Sequence, residues 1–92
     1  MPTMLIFGLG YSAGWIAAGL RARGWQVVGT SRSGRDGTFG WDDRAAIDHA
    51  LARADAVLSS VPPDSNGDPV LARHGDAVGR VRWAGYLSST GV

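Results

Sequence analysis

The sequence contains no cysteine, no lysine and no glutamate among its 92 residues. Without cysteine, a disulfide scaffold, a zinc knuckle and thiol catalysis are excluded. The nine basic residues are all arginine, and the eight acidic residues are all aspartate. A Walker A loop, a Schiff base and a tyrosine–lysine proton relay all need a lysine amine, so none of them can be completed inside this chain.

The chain also has little net charge and no long apolar run. A net charge of +1 provides neither a basic field for nucleic acid nor an acidic tail. No apolar run approaches the roughly 18 residues that span a bilayer, and residues 1–7 lack the basic region of a secretory signal. The hydrophobic fraction of 45% and the charged fraction of 18% indicate one small globular domain over residues 1–92. We therefore expect a cytoplasmic protein, with neither nucleic acid nor membrane among its partners.

The first thirty residues have the pattern of a parallel βαβ unit. Met4–Phe7 is a short apolar run typical of a buried strand, and it is followed by a glycine turn. Apolar side chains then recur at helical spacing up to Leu20, and Gly24 stands where a helix C-cap is expected. A second strand is predicted over Trp25–Thr30. Strand, helix and strand in this order predict a right-handed crossover.

The remaining sequence continues the alternation of strands and helices. A short strand is predicted first, then a helix capped by Asp42 or Asp43, another strand, a helix that Pro69 begins, and a last strand. In chain order, these elements are predicted over Thr38–Trp41, around Ala46–Leu51, over Ala56–Val61, from Pro69 to about Arg82, and over Tyr86–Ser88. Together they predict an α/β fold with a Rossmann-like, doubly wound parallel sheet, truncated after about the fifth strand.

A glycine motif joins the first predicted strand to the first predicted helix. The segment G-L-G-Y-S-A, which begins at Gly8, matches G-x-G-x-x-G/A in the required context. Gly8 allows the tight turn, Gly10 lets a pyrophosphate approach the backbone, and the small Ala13 lets helix and strand pack closely. The amides of Tyr11 and Ser12 lie at the helix N-terminus, where the helix dipole favours an anion. The motif predicts dinucleotide binding; the alternative is a glycine-rich turn kept only for packing.

The end of the second strand bears on the choice of dinucleotide. An Asp or Glu at this place would bind the ribose 2′-hydroxyl of NAD, whereas this chain has Thr30, Ser31 and Arg32. Two hydroxyls and a guanidinium suit a 2′-phosphate, because arginine matches phosphate in charge and geometry. The pattern favours NADP over NAD; the alternative is that Arg32 is a solvated loop charge.

We assign no ligand-binding role to the two histidines or to Gly14. His49 and His74 have no second ligand at metal-binding spacing, so we interpret them as surface or packing residues and expect no metal site. Gly14 is interpreted as a close-packing position on the first helix.

Four segments of the chain, taken in order, resemble the N-terminal half of atypical extended short-chain dehydrogenase/reductases, the NAD-dependent epimerase/dehydratase-like group. These segments are Gly8–Ala13, Val28–Arg32, Ser60–Pro63 and Tyr86–Val92. The resemblance covers essentially the whole chain. It implies the NAD(P)-binding part of an oxidoreductase or of a nucleotide-sugar-type epimerase or dehydratase.

The resemblance also implies a role for each matching residue. Residues implied to cradle the pyrophosphate are Gly8, Gly10, Tyr11, Ser12 and Ala13. Residues implied to contact the adenosine ribose are Thr30, Ser31 and Arg32. Asp42 is implied at the adenine, and Val61 and Pro62 beside the cofactor. Ser89 matches the hydroxyl that polarises the substrate oxygen, with Thr90 as the alternative.

The chain departs from the family pattern at the catalytic pair. The family's Tyr-x-x-x-Lys pair is absent, because the sequence has no lysine. We therefore expect a fragment that is inactive alone and that self-associates through the truncated sheet edge. The alternatives are a non-catalytic NADP-binding module or cofactor sensor, and an α/β domain without a ligand.

Overall fold

The structure is a computed structural model that describes residues 2–9, 11–31, 34, 38–61, 65 and 67–86, without the side chains of Tyr11 and Ser12. The described residues form five strands and three helices. In chain order these are β1 Thr3–Phe7, α1 Tyr11–Ala22, β2 Gln26–Ser31, β3 Phe39–Gly40, α2 Arg44–Arg53, β4 Ala56–Ser59, α3 Pro69–Val78 and β5 Trp83–Tyr86.

The five strands form one sheet in the order β3-β2-β1-β4-β5, and every neighbouring pair is parallel. After β1 the chain builds outward through β2 and β3, then returns to the other side of β1 with β4 and β5. This is the Rossmann-like, doubly wound arrangement, so the predicted fold class is confirmed. The strand order reverses between β1 and β4, and such sheets bind ligands beyond the carboxyl ends of those strands.

The central strand β1 is buried on both faces, as its continuous apolar run predicts. Its side chains alternate between two apolar clusters, one on each face of the sheet. Leu5 and Phe7 pack with the buried side chains of α2 and α3, whereas Met4 and Ile6 pack with those of α1. Two helices therefore cover one face, and α1 covers the other.

Side-chain caps begin α2 and α3. The carboxylate of Asp43 accepts the amide N–H of Ala46 at 3.3 Å, so Asp43, and not Asp42, is the N-cap of α2. The carboxylate of Asp68 accepts the amide N–H of Val70 at 2.9 Å, and Pro69 follows as the first helical residue. Both caps satisfy amide groups that a helix N-terminus leaves without a partner.

The predicted end of α3 is wrong. The helix ends at Val78 with Gly79 as its C-cap, four residues before the predicted end at Arg82. Gly75 and Gly79 are weak helix formers, and the backbone at His74 already leaves helical geometry, with φ −129° and ψ 15°. The helix therefore ends early and leaves room for a strand to begin.

The last strand accordingly lies earlier than predicted. It spans Trp83–Tyr86, and the predicted strand residues beyond Tyr86 lie outside the described part of the chain. The amide of Arg82 donates to the carbonyl of Asp55 at 3.1 Å, which sets Trp83 opposite Ala56. Long-range pairing with β4 thus fixes the position of β5.

The predicted ends of β2 and β4 are also shifted. The second strand runs one residue later than predicted, over Gln26–Ser31. The fourth strand stops at Ser59, two residues before the predicted end at Val61. The amide of Ser60 still donates to the carbonyl of Phe7 at 2.9 Å, next to the strand pair of Phe7 and Ser59.

β5 lies at an edge of the described sheet, and its side chains are largely uncovered. Trp83 and Tyr86 are 52% and 47% exposed, and the Trp83 indole lies over Gly85 on the same strand. Self-association through this edge stays a prediction.

In the described part of the chain, no helix combines the length and the apolar character that a membrane crossing requires.

Candidate functional site

The site begins at the glycine turn that follows β1. Gly8 has φ +80°, a left-handed conformation that residues with a Cβ rarely adopt. A Cβ at this position would lie 2.8 Å from the Ser60 hydroxyl and 3.1 Å from a methyl carbon of Val61. Both the conformation and the close approach of the chain after β4 therefore require glycine.

Thr30, at the carboxyl end of β2, supports this turn. The amide of Gly8 donates to the Thr30 hydroxyl at 3.0 Å, and the amide of Leu9 donates to the Thr30 carbonyl at 2.8 Å. The residue is only 1% exposed. We therefore reassign the Thr30 side chain, which the sequence placed against the ribose, to support of the glycine turn.

Gly29 lets the turn close onto β2. A Cβ on Gly29 would lie 2.7 and 2.8 Å from side-chain carbons of Leu9 and 3.2 Å from the carbonyl of Ile6. The side chain of Leu9 therefore occupies the space that any larger residue at this position would need. Sequence analysis included Gly29 in the matching segment but gave it no role.

Ser60 connects the turn to the end of β4. Its amide binds the carbonyl of Phe7, and its hydroxyl donates to the carbonyl of Gly8. Val61 is half-buried beside Gly8 and packs at the rim of the core shared by α2 and α3. The structure thus brings Gly8, Thr30 and Val61 together. It adds Ser60, a hydroxyl two residues before the proline pair, to which sequence analysis gave no role.

The first turn of α1 carries no acidic side chain. The helix begins at Tyr11 and has no acidic residue in its first turn. Ala13 is 1% exposed and packs against the sheet, as its small size predicts. A Cβ on Gly14 would meet nothing within 4 Å, so the interpretation of Gly14 as a close-packing position is wrong.

Ser31 shapes the loop between β2 and β3. Its hydroxyl oxygen accepts the amide N–H of Gly34 at 2.9 Å and lies 2.6 Å from the hydroxyl of Thr38. Gly34 has φ +73°, and a Cβ there would lie 2.9 Å from the amide nitrogen of Gly40. The side chain of Ser31 therefore contacts two positions of the connection between β2 and β3, Gly34 and Thr38.

Asp42 follows β3, on the side of the sheet where the parallel strands have their carboxyl ends. Its carboxylate pairs with the Arg73 guanidinium of α3 at 3.2 Å, and 89% of its side chain is exposed. The same guanidinium donates to the carbonyl of Trp41 at 3.3 Å and lies 4.7 Å from the centre of the Trp41 ring. Among the described residues, the side chain of Asp42 contacts α3 and not the glycine turn.

His74 is a packing residue of the core beneath Trp41. Its ring stacks on Phe7 with centroids 5.4 Å apart, and the edge of Trp41 meets it at 6.1 Å. Burial lowers the pKa of the imidazole below its ordinary value, and Arg44 and Arg73 lower it further against the opposing effect of Asp48. Nε2 is buried without a hydrogen-bond partner among the described residues.

Several predicted site residues lie outside the described part of the chain. They are Gly10, Arg32, Pro62, Ser89 and Thr90. The backbone of Tyr11 and Ser12 is described as the start of α1.

No family model matches the chain, and no curated protein matches it. The chain is similar to the solved structure of a functionally unknown conserved protein from Silicibacter pomeroyi DSS, with 36% sequence identity and a TM-score of 0.70. The match covers 98% of this chain and 36% of that protein. The chain therefore spans little more than a third of the length of this similar protein.

Proposed function

We propose that this chain binds NADP through the turn after β1, as the cofactor-binding part of an enzyme similar to short-chain dehydrogenase/reductases. One observation carries the proposal. Gly8, with φ +80°, leads from the central strand into the N-terminus of α1, at the point where the strand order reverses. In doubly wound folds, this is where a dinucleotide pyrophosphate lies.

The residues at the turn fit a pyrophosphate. Glycine at position 8 keeps the turn tight, and the first turn of α1 offers backbone amides without an acidic side chain to repel an anion. Gly10, which follows in the motif, adds a second position without a Cβ. Bound NADP would supply hydride transfer at its nicotinamide, and this chain would hold and orient the other end of the molecule.

The choice of NADP rests on the loop after β2. Ser31 anchors this loop through Gly34 and Thr38, and no acidic residue stands at positions 30–32. The guanidinium of Arg32 is the group that we assign to the 2′-phosphate, since arginine pairs with phosphate through two hydrogen bonds. NAD, which has a hydroxyl there, is the weaker ligand in this proposal.

The chemical step needs more than these residues. We assign substrate polarisation to Ser89, with Thr90 as the alternative, by the resemblance described above. The proton relay of that family requires a lysine, and this chain has none. The absence of lysine also favours the second candidate, a non-catalytic NADP-binding module, for the chain taken alone.

Calorimetric titration of the 92-residue chain with NADPH and NADH tests the proposal. Gly10→Val should abolish binding of both, because a branched side chain would occupy the space of the pyrophosphate. Gly19→Ala is the matched control: it adds a Cβ to an exposed position of α1 that contacts nothing within 4 Å, and it should bind normally. Arg32→Ala should weaken NADPH about 10- to 100-fold and NADH much less, since a charge-assisted hydrogen bond is lost only with the former.

Each result has a counterpart that contradicts the proposal. Wild-type chain that binds neither cofactor would rule out dinucleotide binding. Equal affinity of Gly10→Val and wild type would remove the pyrophosphate assignment. Equal weakening of both cofactors by Arg32→Ala would show that Arg32 does not distinguish a 2′-phosphate from a hydroxyl.

A further inference from the structure

Ser60, the first residue after β4, binds two consecutive carbonyl groups where the chain leaves β1. Its amide donates to the carbonyl of Phe7 at 2.9 Å. Its hydroxyl lies 3.3 Å from the same carbonyl oxygen and donates to the carbonyl of Gly8. One residue of the neighbouring strand's exit therefore engages both carbonyl oxygens at the start of the glycine turn.

The peptide group between Gly8 and Leu9 is fixed from both sides of β1. Its carbonyl oxygen accepts from Ser60 on the side of β4, and its N–H donates to the carbonyl of Thr30 on the side of β2 at 2.8 Å. A peptide group that follows a glycine rotates easily, because glycine tolerates many backbone conformations. Rotation of this one breaks both hydrogen bonds.

The direction of this peptide group matters to an anion. Backbone carbonyl oxygens carry partial negative charge and repel a phosphate, whereas backbone amides attract it. The Gly8 carbonyl lies three residues before Tyr11, where α1 begins. Because the Ser60 hydroxyl donates to this carbonyl, its oxygen is turned towards the end of β4. The hydrogen bond thus keeps one carbonyl oxygen of the turn from opposing the amides of α1.

The adjacent hydroxyl, that of Ser59, makes a different contact. It accepts the amide N–H of Val61 at 3.3 Å, and among the described residues it has no hydrogen bond to the glycine turn. Ser59 is buried, with 6% of its surface exposed. Two neighbouring serines at the end of β4 therefore differ in one respect that can be tested, the contact with Gly8.

We propose that Ser60 is a positioning residue for the diphosphate of the dinucleotide. Its hydroxyl holds the peptide group after Gly8 in one orientation, so that the carbonyl oxygen faces a donor and not the bound anion. This inference rests on the proposed function. It assigns to the exit of β4, which contributes no residue to the glycine motif, a part in binding the phosphates.

Calorimetric titration of the 92-residue chain with NADPH and with inorganic pyrophosphate tests the proposal. Ser60→Ala should weaken both ligands by about 2- to 12-fold, the range in affinity of one net hydrogen bond. Ser60→Thr keeps the hydroxyl and should restore wild-type affinity. Ser59→Ala is the matched control, because it removes the neighbouring buried hydroxyl, and it should bind both ligands as wild type does.

Nuclear magnetic resonance reports the hydrogen bond itself. Loss of a hydrogen bond moves the ¹³C signal of a carbonyl upfield, so the Gly8 signal should shift in Ser60→Ala and stay in place in Ser59→Ala. Exchange of the Leu9 amide should accelerate in Ser60→Ala alone. If Ser60→Ala does not fold, Ser60→Cys takes its place, since a thiol is of similar size and donates only weakly.

Wild-type affinity in Ser60→Ala, or equal losses in Ser60→Ala and Ser59→Ala, would overturn the positioning role and leave the proposed function in place. A loss of NADPH affinity without a loss of pyrophosphate affinity would also overturn it, because the effect would then lie outside the phosphates. Wild-type chain that binds neither probe would overturn the proposed function, and this inference with it.

Discussion

Replacing Thr30 with valine removes the support of the glycine turn and keeps the shape of the side chain. The lost hydroxyl accepts the amide N–H of Gly8 at 3.0 Å, and only 1% of Thr30 is exposed, so water cannot take its place without a rearrangement. Leaving such a donor without a partner costs about 1–3 kcal/mol, whereas exchanging hydroxyl for methyl gains about 0.8 kcal/mol. The difference between the cost and the gain lowers the expected free energy of unfolding by about 0.2–2.2 kcal/mol.

Thermal unfolding followed by circular dichroism measures the loss. For a domain of this size, 1 kcal/mol corresponds to about 4–8 °C in Tm, so Thr30→Val should lower Tm by roughly 1–18 °C. Hydrogen exchange at the Gly8 amide should accelerate in the same variant, because that N–H loses its acceptor.

Thr30→Ser is the matched control, since it keeps the hydroxyl and removes one methyl group. It should lose about 1 kcal/mol from the smaller buried surface and leave exchange at Gly8 unchanged. The reasoning fails if Thr30→Val leaves both Tm and Gly8 exchange at wild-type values. It also fails if Thr30→Ser accelerates Gly8 exchange as much as Thr30→Val does.

Two further predictions concern the packing around the site. Gly29→Ala should destabilise the chain by about 1–3 kcal/mol in urea unfolding, because its Cβ would lie 2.7 Å from Leu9; an unchanged urea midpoint would contradict this contact. For His74, the lowered pKa of the folded state means that stability is fully present above about pH 6.5 and is lost as the pH falls through that lowered value. Urea midpoints between about pH 7 and pH 5 should therefore fall less in His74→Phe than in wild type, and equal falls in the two proteins would contradict this role of His74.

Local sequence signals predicted the elements whose form depends on neighbouring residues. The apolar run of β1, a cap at Asp42 or Asp43 before α2 and the start of α3 at Pro69 follow from burial, capping and the fixed φ of proline. The alternation of strands and helices along the chain predicted the doubly wound sheet, because parallel βαβ units leave few topologies open.

The parts that sequence reasoning missed depend on distant contacts. The hydrogen bond between Arg82 and Asp55 sets where β5 begins, and nothing near residue 83 in the sequence encodes it. Thr30 matched a ribose-binding position, but its hydroxyl turns inward because the Gly8 amide lies beside it in the fold. A polar residue at the end of an otherwise apolar strand was the available signal for such a buried acceptor.

Two hydrogen bonds hold Gly8 in the turn, and they close chain segments of different lengths. The hydrogen bond from Gly8 to Thr30 spans 22 residues, whereas the one from Ser60 to the Gly8 carbonyl spans 52. Each doubling of a closed loop adds about 0.6 kcal/mol of entropic cost, so the contact with β2 is the easier one to close during folding. We infer that the hydrogen bond between Gly8 and Thr30 forms before the one between Ser60 and Gly8. The folding and unfolding rates of single variants at Thr30 and Ser60 would report this order.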